Sequence, residues 1–66
     1  MNVTVNGEPR EVPPGTTVAQ LVSLLTSLPT GVAAALNGEV VPRRIWDGTQ
    51  LADRDQVEVV TAVQGG

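Results

Sequence analysis

Sixty-six residues with seven acids, four arginines and a net charge of −3 make one small domain, and an acidic one that lacks the clustered cations a nucleic acid requires. The absence of Cys excludes a disulfide framework and a thiolate zinc site, so aliphatic packing has to hold the fold. His, Tyr and Lys are absent too, which removes most of the usual general bases and nucleophiles.

Val3 and Val5 alternate with Asn2, Thr4 and Asn6, the pattern of a half-buried strand. Asn6-Gly7 follows, a strong signal for a two-residue hairpin, because a type I′ turn needs positive φ at both central positions. Arg10-Glu11-Val12 is the return strand, and Pro9 places it at a sheet edge. Pro13-Pro14-Gly15 ends it. Val18, Leu21, Val22, Leu25 and Leu28 then form one apolar helical stripe. Thr17 and Gln20 have capping-box spacing at its start, and Pro29 and Gly31 close the helix soon after Leu28. The stripe is read as a core face.

Val32-Ala33-Ala34-Ala35-Leu36 is a short apolar strand. Asn37-Gly38 is a second hairpin signal, and Glu39-Val40-Val41 returns until Pro42 breaks it. Arg43-Arg44-Ile45-Trp46 fits one irregular or 3₁₀ turn, and Asp47-Gly48 turns the chain again. Leu51 makes a short apolar contact, Ala52-Asp53-Arg54-Asp55 is a polar turn, and a last strand runs from about Gln56 to Val63. Val57 and Val59 share one face of that strand, Val60 and Ala62 the other.

Strand, strand, helix, short strands and a long last strand give an α+β domain with one main helix across one face of a mixed sheet of four to five strands. This is the order of the ubiquitin-like β-grasp, in which the first and last strands are parallel neighbours at the sheet centre. The domain is expected over residues 1–63, with residues 64–66 as a flexible tail.

The acids are scattered, and Asp53 and Asp55 flank Arg54 in a turn too short to supply a metal's ligand set. Ser23 and Ser27 have no base to activate them. No phosphate-binding glycine loop is present, since no helix follows Gly65-Gly66. The chain therefore reads as a carrier or substrate rather than an enzyme, and its distinctive chemical group is the α-carboxylate of Gly66. Two residues without side chains at the end of a sheet strand can enter a narrow channel and adopt backbone angles closed to other residues. No signal peptide is visible and no apolar segment is long enough to span a bilayer, so the expected setting is the cytoplasm, away from membranes.

The β-grasp order with a terminal Gly65-Gly66 resembles the small sulfur carrier proteins. The segment Ala35-Leu36-Asn37-Gly38-Glu39-Val40-Val41-Pro42-Arg43, then Trp46, is similar in particular to the ThiS family of thiamine thiazole biosynthesis. Asp55-Gln56-Val57-Glu58-Val59 and the Gly-Gly end match as well. The resemblance implies that an E1-like adenylating enzyme, using ATP and Mg²⁺, converts Gly66 to an acyl-adenylate. Sulfur from an upstream persulfide donor then yields a C-terminal thiocarboxylate, which passes sulfur to thiazole synthase. The carrier itself binds no cofactor. Gly65 and Gln64 form the tail that enters the partner's channel. Val60 and Ala62 are candidates for an exposed docking surface. Arg43 and Arg44 are candidates to meet acidic partner groups, or are solvated surface. Trp46 is a candidate anchor, or a cap on the small core.

Three alternatives share part of this pattern. The sulfur carrier of molybdopterin synthesis has the same fold and tail, although those carriers tend to be longer and to have aromatic residues in the sheet. A ubiquitin-like modifier would be joined to target lysines, and without Lys this chain could not be linked to copies of itself. A plain interaction module would carry its Gly-Gly end incidentally.

Overall fold

The computed structural model describes residues 1–27 and 30–61. Strand β1 spans Asn2–Val5 and turns Val3 and Val5 inward. At the turn, Asn6 and Gly7 have φ of 51° and 83°, a left-handed pair that favours Asn and Gly. Strand β2, Glu8–Glu11, returns antiparallel with every residue exposed, and Pro9 sits where no further strand follows. Val12 then plunges into the core. It exchanges two hydrogen bonds with Met1: its N–H donates to the Met1 carbonyl at 2.9 Å, and the N-terminal ammonium donates back at 2.8 Å.

Helix α1, Val18–Leu25, opens on a complete capping box. The Gln20 N–H donates to Thr17 Oγ1 at 3.2 Å, and the Thr17 N–H donates to Gln20 Oε1 at 3.0 Å. Val18, Leu21 and Val22 are buried, and Leu25 packs partly against them. The helix ends at Leu25, short of the Leu28 expected from periodicity. Thr26 is extended, at φ −154° and ψ 150°, and its N–H still reaches the Val22 carbonyl. Thr and Ser are weak helix formers, so Thr26-Ser27 end the helix before the apolar stripe does. Leu28 and Pro29, the expected last stripe residue and stop signal, lie outside the described residues.

Strand β3, Val32–Leu36, leads through Asn37-Gly38, at φ 51° and 87°, into β4, Glu39–Val41. Arg43–Gly48 form one 3₁₀ helix, so Asp47-Gly48 continue that turn rather than making a separate one. The loop beyond it is tied to the start of α1. Val18 N–H donates to the Thr49 carbonyl at 2.9 Å, and Leu51 N–H donates to the Thr16 carbonyl at 2.8 Å.

Strand β5 is described over Gln56–Thr61 and fills the middle of the sheet, whose order is β2-β1-β5-β3-β4. It pairs parallel to β1 and antiparallel to β3, the latter from Leu36↔Val57 to Val32↔Thr61. Val57 and Val59 join Val3, Val5, Ala34 and Val41 beneath α1, with Trp46 and Leu51 completing the core. The five-stranded mixed sheet with one helix is the expected β-grasp. Among the described residues, no helix is long and apolar enough to cross a membrane.

Candidate functional site

The expected chemistry lies at the C-terminus, where Ala62, Gln64, Gly65 and Gly66 are outside the described residues. The described chain ends at Thr61, so the structure shows how the base of that segment is held. On one edge, β3 pairs with β5 as far as Thr61. On the other, the Thr4 N–H donates to the Asp55 carbonyl and the Asn6 N–H to the Val57 carbonyl, both at 2.9 Å. The Asn6 carboxamide then reaches Val59: its Oδ1 accepts the Val59 N–H at 2.8 Å and its Nδ2 donates to the Val59 carbonyl at 3.1 Å.

The second Asn-Gly turn holds the start of the same strand. The Asn37 N–H donates to the Gln56 carbonyl at 2.7 Å, and its Oδ1 accepts the Gln56 N–H at 2.9 Å. Its Nδ2 donates to Asp55 Oδ1 at 3.1 Å, while Asp55 Oδ2 accepts the Ala52 N–H at 2.7 Å. Asp53 Oδ1 accepts the Asn2 N–H at 2.8 Å. The two aspartates thus brace turns and strand ends. Sequence reasoning read Asn6 and Asn37 only as turn formers. The available signal was Asn at both places: it tolerates a left-handed φ and brings the donor and acceptor of an amide together on a neutral side chain.

The uncovered face of the sheet carries the outward residues of β5. Val60 is 59% exposed and Val40 on β4 is 76% exposed. Ala33 pairs with Val60, and Ala35 stands between Glu58 and Val40. These residues line a shallow depression with an alanine floor and Glu58 as its one charge. Small side chains between two valines leave a flat apolar surface that a partner can approach closely.

Trp46, Arg43 and Arg44 do not join this face. Trp46 is only 5% exposed, and its indole N–H donates to the Val41 carbonyl at 2.8 Å. The indole completes a core that has no other aromatic ring, so Trp46 is a packing residue and not an exposed anchor. Arg43 and Arg44 are exposed on the 3₁₀ helix, which packs against α1 on the covered side of the sheet. The Arg43 guanidinium carbon lies 5.1 Å from the Trp46 ring centroid, within cation–π range. Neither arginine forms an ion pair among the described residues, where Arg54 and Asp53 approach at 3.9 Å. No group of three potential metal ligands occurs among the described residues either.

Comparison with known proteins adds to this geometry. The ThiS family profile matches residues 3–66. The sulfur carrier protein ThiS of Escherichia coli is 30% identical, with both chains covered in full. A crystal structure of the thiamine biosynthesis protein ThiS from Geobacter metallireducens superposes with a TM-score of 0.83 at 39% identity, again over the whole of both chains. The thiazole synthase of Magnetococcus marinus is 38% identical over all 66 residues, and there the chain spans only 20% of the relative's length.

Proposed function

The chain belongs to the ThiS family, the sulfur carriers of thiamine biosynthesis, and from that membership we propose that the carboxylate of Gly66 is the group that carries the sulfur. The observation that carries the reading is the match of fold and sequence to ThiS proteins over the whole chain.

A carboxylate is a poor acyl donor, because its oxygen is a poor leaving group. An adenylating enzyme of the E1-like class therefore joins Gly66 to AMP from ATP and Mg²⁺, releasing pyrophosphate. The outer sulfur of a cysteine persulfide displaces AMP to give an acyl persulfide, and a thiol then cleaves its S–S bond, leaving a disulfide on the donor side and the thiocarboxylate on Gly66. Its sulfur is nucleophilic and is tethered to a protein, so it reaches its acceptor at high local concentration. The acceptor is thiazole synthase. That pairing is supported by the Magnetococcus marinus relative of that name, which contains a stretch similar to the whole of this chain. ATP and persulfide donors are found inside cells, and the cytoplasm is the setting we propose for the cycle.

Gln64 and Gly65 thread the partner's channel, where side chains larger than hydrogen at 65 or 66 would meet its walls. The open face around Val60 docks the adenylating enzyme, and Ala62, two positions on in the sequence, is proposed for the same interface. Arg43 and Arg44 meet acidic partner groups from a different side of the molecule.

The test is incubation with adenylating enzyme, ATP and a sulfide source, followed by alkylation. The chain has no Cys, so a thiol-reactive adduct mapped to the C-terminal fragment marks the thiocarboxylate. Mapping also separates it from oxidation of Met1, whose mass gain is almost the same. A variant lacking Gly66 should give no adduct. No adduct on the complete chain, with an enzyme active on its own carrier, would overturn the proposal.

A further inference from the structure

A parallel ladder obeys a fixed alternation. A residue on one strand donates its N–H to the residue before its partner and accepts the N–H of the residue after it. Thr4 pairs with Gln56 and Val5 with Val57, so Asn6 lies opposite Glu58. Its N–H duly donates to the Val57 carbonyl at 2.9 Å. Continued by one step, the ladder would bring the carbonyl of residue 6 and the N–H of residue 8 to Val59. The backbone cannot deliver them, because Asn6 and Gly7 turn at φ 51° and 83° and send Glu8 into β2, on the far side of β1. The Asn6 carboxamide stands in for both, accepting from the Val59 N–H at 2.8 Å and donating to its carbonyl at 3.1 Å. A side-chain amide offers the same donor and acceptor as a peptide unit. β5 is thereby bonded along both edges as far as Val59, after which the described pairing continues on the β3 edge alone.

We propose that Asn6 is a positioning residue for the chemistry at Gly66, fixing the last point of β5 that is held from both sides. The inference rests on the carrier reading above. The body of the carrier docks through its surface while the carboxylate reacts at a distance, and β5 sets where the connecting segment leaves the body. Without the carboxamide, the outgoing half of β5 hangs from β3 alone and can pivot. Ala33, Ala35 and Val40, the part of the open face on β3 and β4, keep their places, so most of the dock survives such a change while the reacting group loses its alignment. The loss therefore falls on kcat and spares KM.

Asn6→Gly tests this cleanly, because Gly accepts the positive φ of the turn and removes only the amide. Asn37→Gly is the matched control. It stands in an equivalent Asn-Gly turn, at φ 51°, and its carboxamide grips the opposite, incoming end of β5 at Gln56. ATP-dependent activation by the adenylating enzyme is measured for wild type and both variants, with amide hydrogen exchange at Val59. Asn6→Gly should exchange faster at Val59 and lose kcat roughly tenfold, the scale of a small misplacement of reacting groups. Its KM should stay within about twofold of wild type, and Asn37→Gly should keep its kcat. If Asn6→Gly does not fold, Asn6→Asp replaces it, keeping the turn but setting a second acceptor against the Val59 carbonyl, with the same kcat loss expected. Unchanged kcat at position 6, or an equal loss in Asn37→Gly, overturns the assignment. Absence of turnover in the wild-type protein is a distinct result: it overturns the carrier reading, and the positioning role with it.

Discussion

Trp46 shows how much one side chain can carry in a core this small. Its indole seals the space between β4 and α1, its N–H satisfies the Val41 carbonyl, and its face supports the Arg43 guanidinium. Trp46→Phe keeps an aromatic ring but removes the buried indole N–H bond to the Val41 carbonyl and opens a small void. A loss of about 1–3 kcal/mol is expected in urea denaturation. Trp46→Ala should cost about 3–5 kcal/mol, enough to unfold most marginal domains of this length. Gly66 is the opposite case, a residue whose substitution should leave the fold untouched. Gly66→Ala is expected to keep the wild-type urea midpoint while its rate of adenylation falls by about a hundredfold, as for a reacting group moved by about 1 Å. Near wild-type thiocarboxylate yield would count against the narrow-channel reading.

At the scale of elements, local chemistry sets most boundaries. The Thr17–Gln20 capping box fixes where α1 begins, so Thr17→Ala should destabilise by about 1 kcal/mol, read as a lower urea midpoint at constant slope. The two Asn-Gly turns, the Val3/Val5 alternation and the Val32–Leu36 run were all legible, because each depends on neighbours in the chain. The end of α1 was not. Apolar periodicity points to Leu28, and the extended Thr26 overrides it. The carboxamide clamps were hidden for a different reason: Asn6 and Val59 are 53 positions apart, and only the parallel pairing of β1 with β5 brings them together. Trp46 was ambiguous because a lone Trp suits a core and a partner surface equally well, and only its burial in the fold decides.

At the scale of the whole molecule, the sheet has one covered and one open face, and β5 displays both within four residues. Val57 is 1% exposed beneath α1, whereas Val60 is 59% exposed on the uncovered side beside Ala33. A carboxylate introduced at each position asks what each face is for. Val57→Asp places a charge in a core whose described residues offer it no cation, and the cost of burying it exceeds what a small domain can absorb. That variant should be unfolded by circular dichroism at neutral pH. Val60→Asp remains solvated in the free protein, so its urea midpoint should lie close to wild type. In the complex with the adenylating enzyme, the same carboxylate would have to shed water against an apolar surface. Its affinity should fall at least tenfold, or about 1.4 kcal/mol, in calorimetry. The arginines on the covered side supply the internal comparison. If the open face is the main dock, Arg44→Gln should weaken that complex less than Val60→Asp does, with an effect that fades as salt is raised. Full affinity in Val60→Asp, with loss in Arg44→Gln, would move the dock from the open sheet face to the 3₁₀ helix.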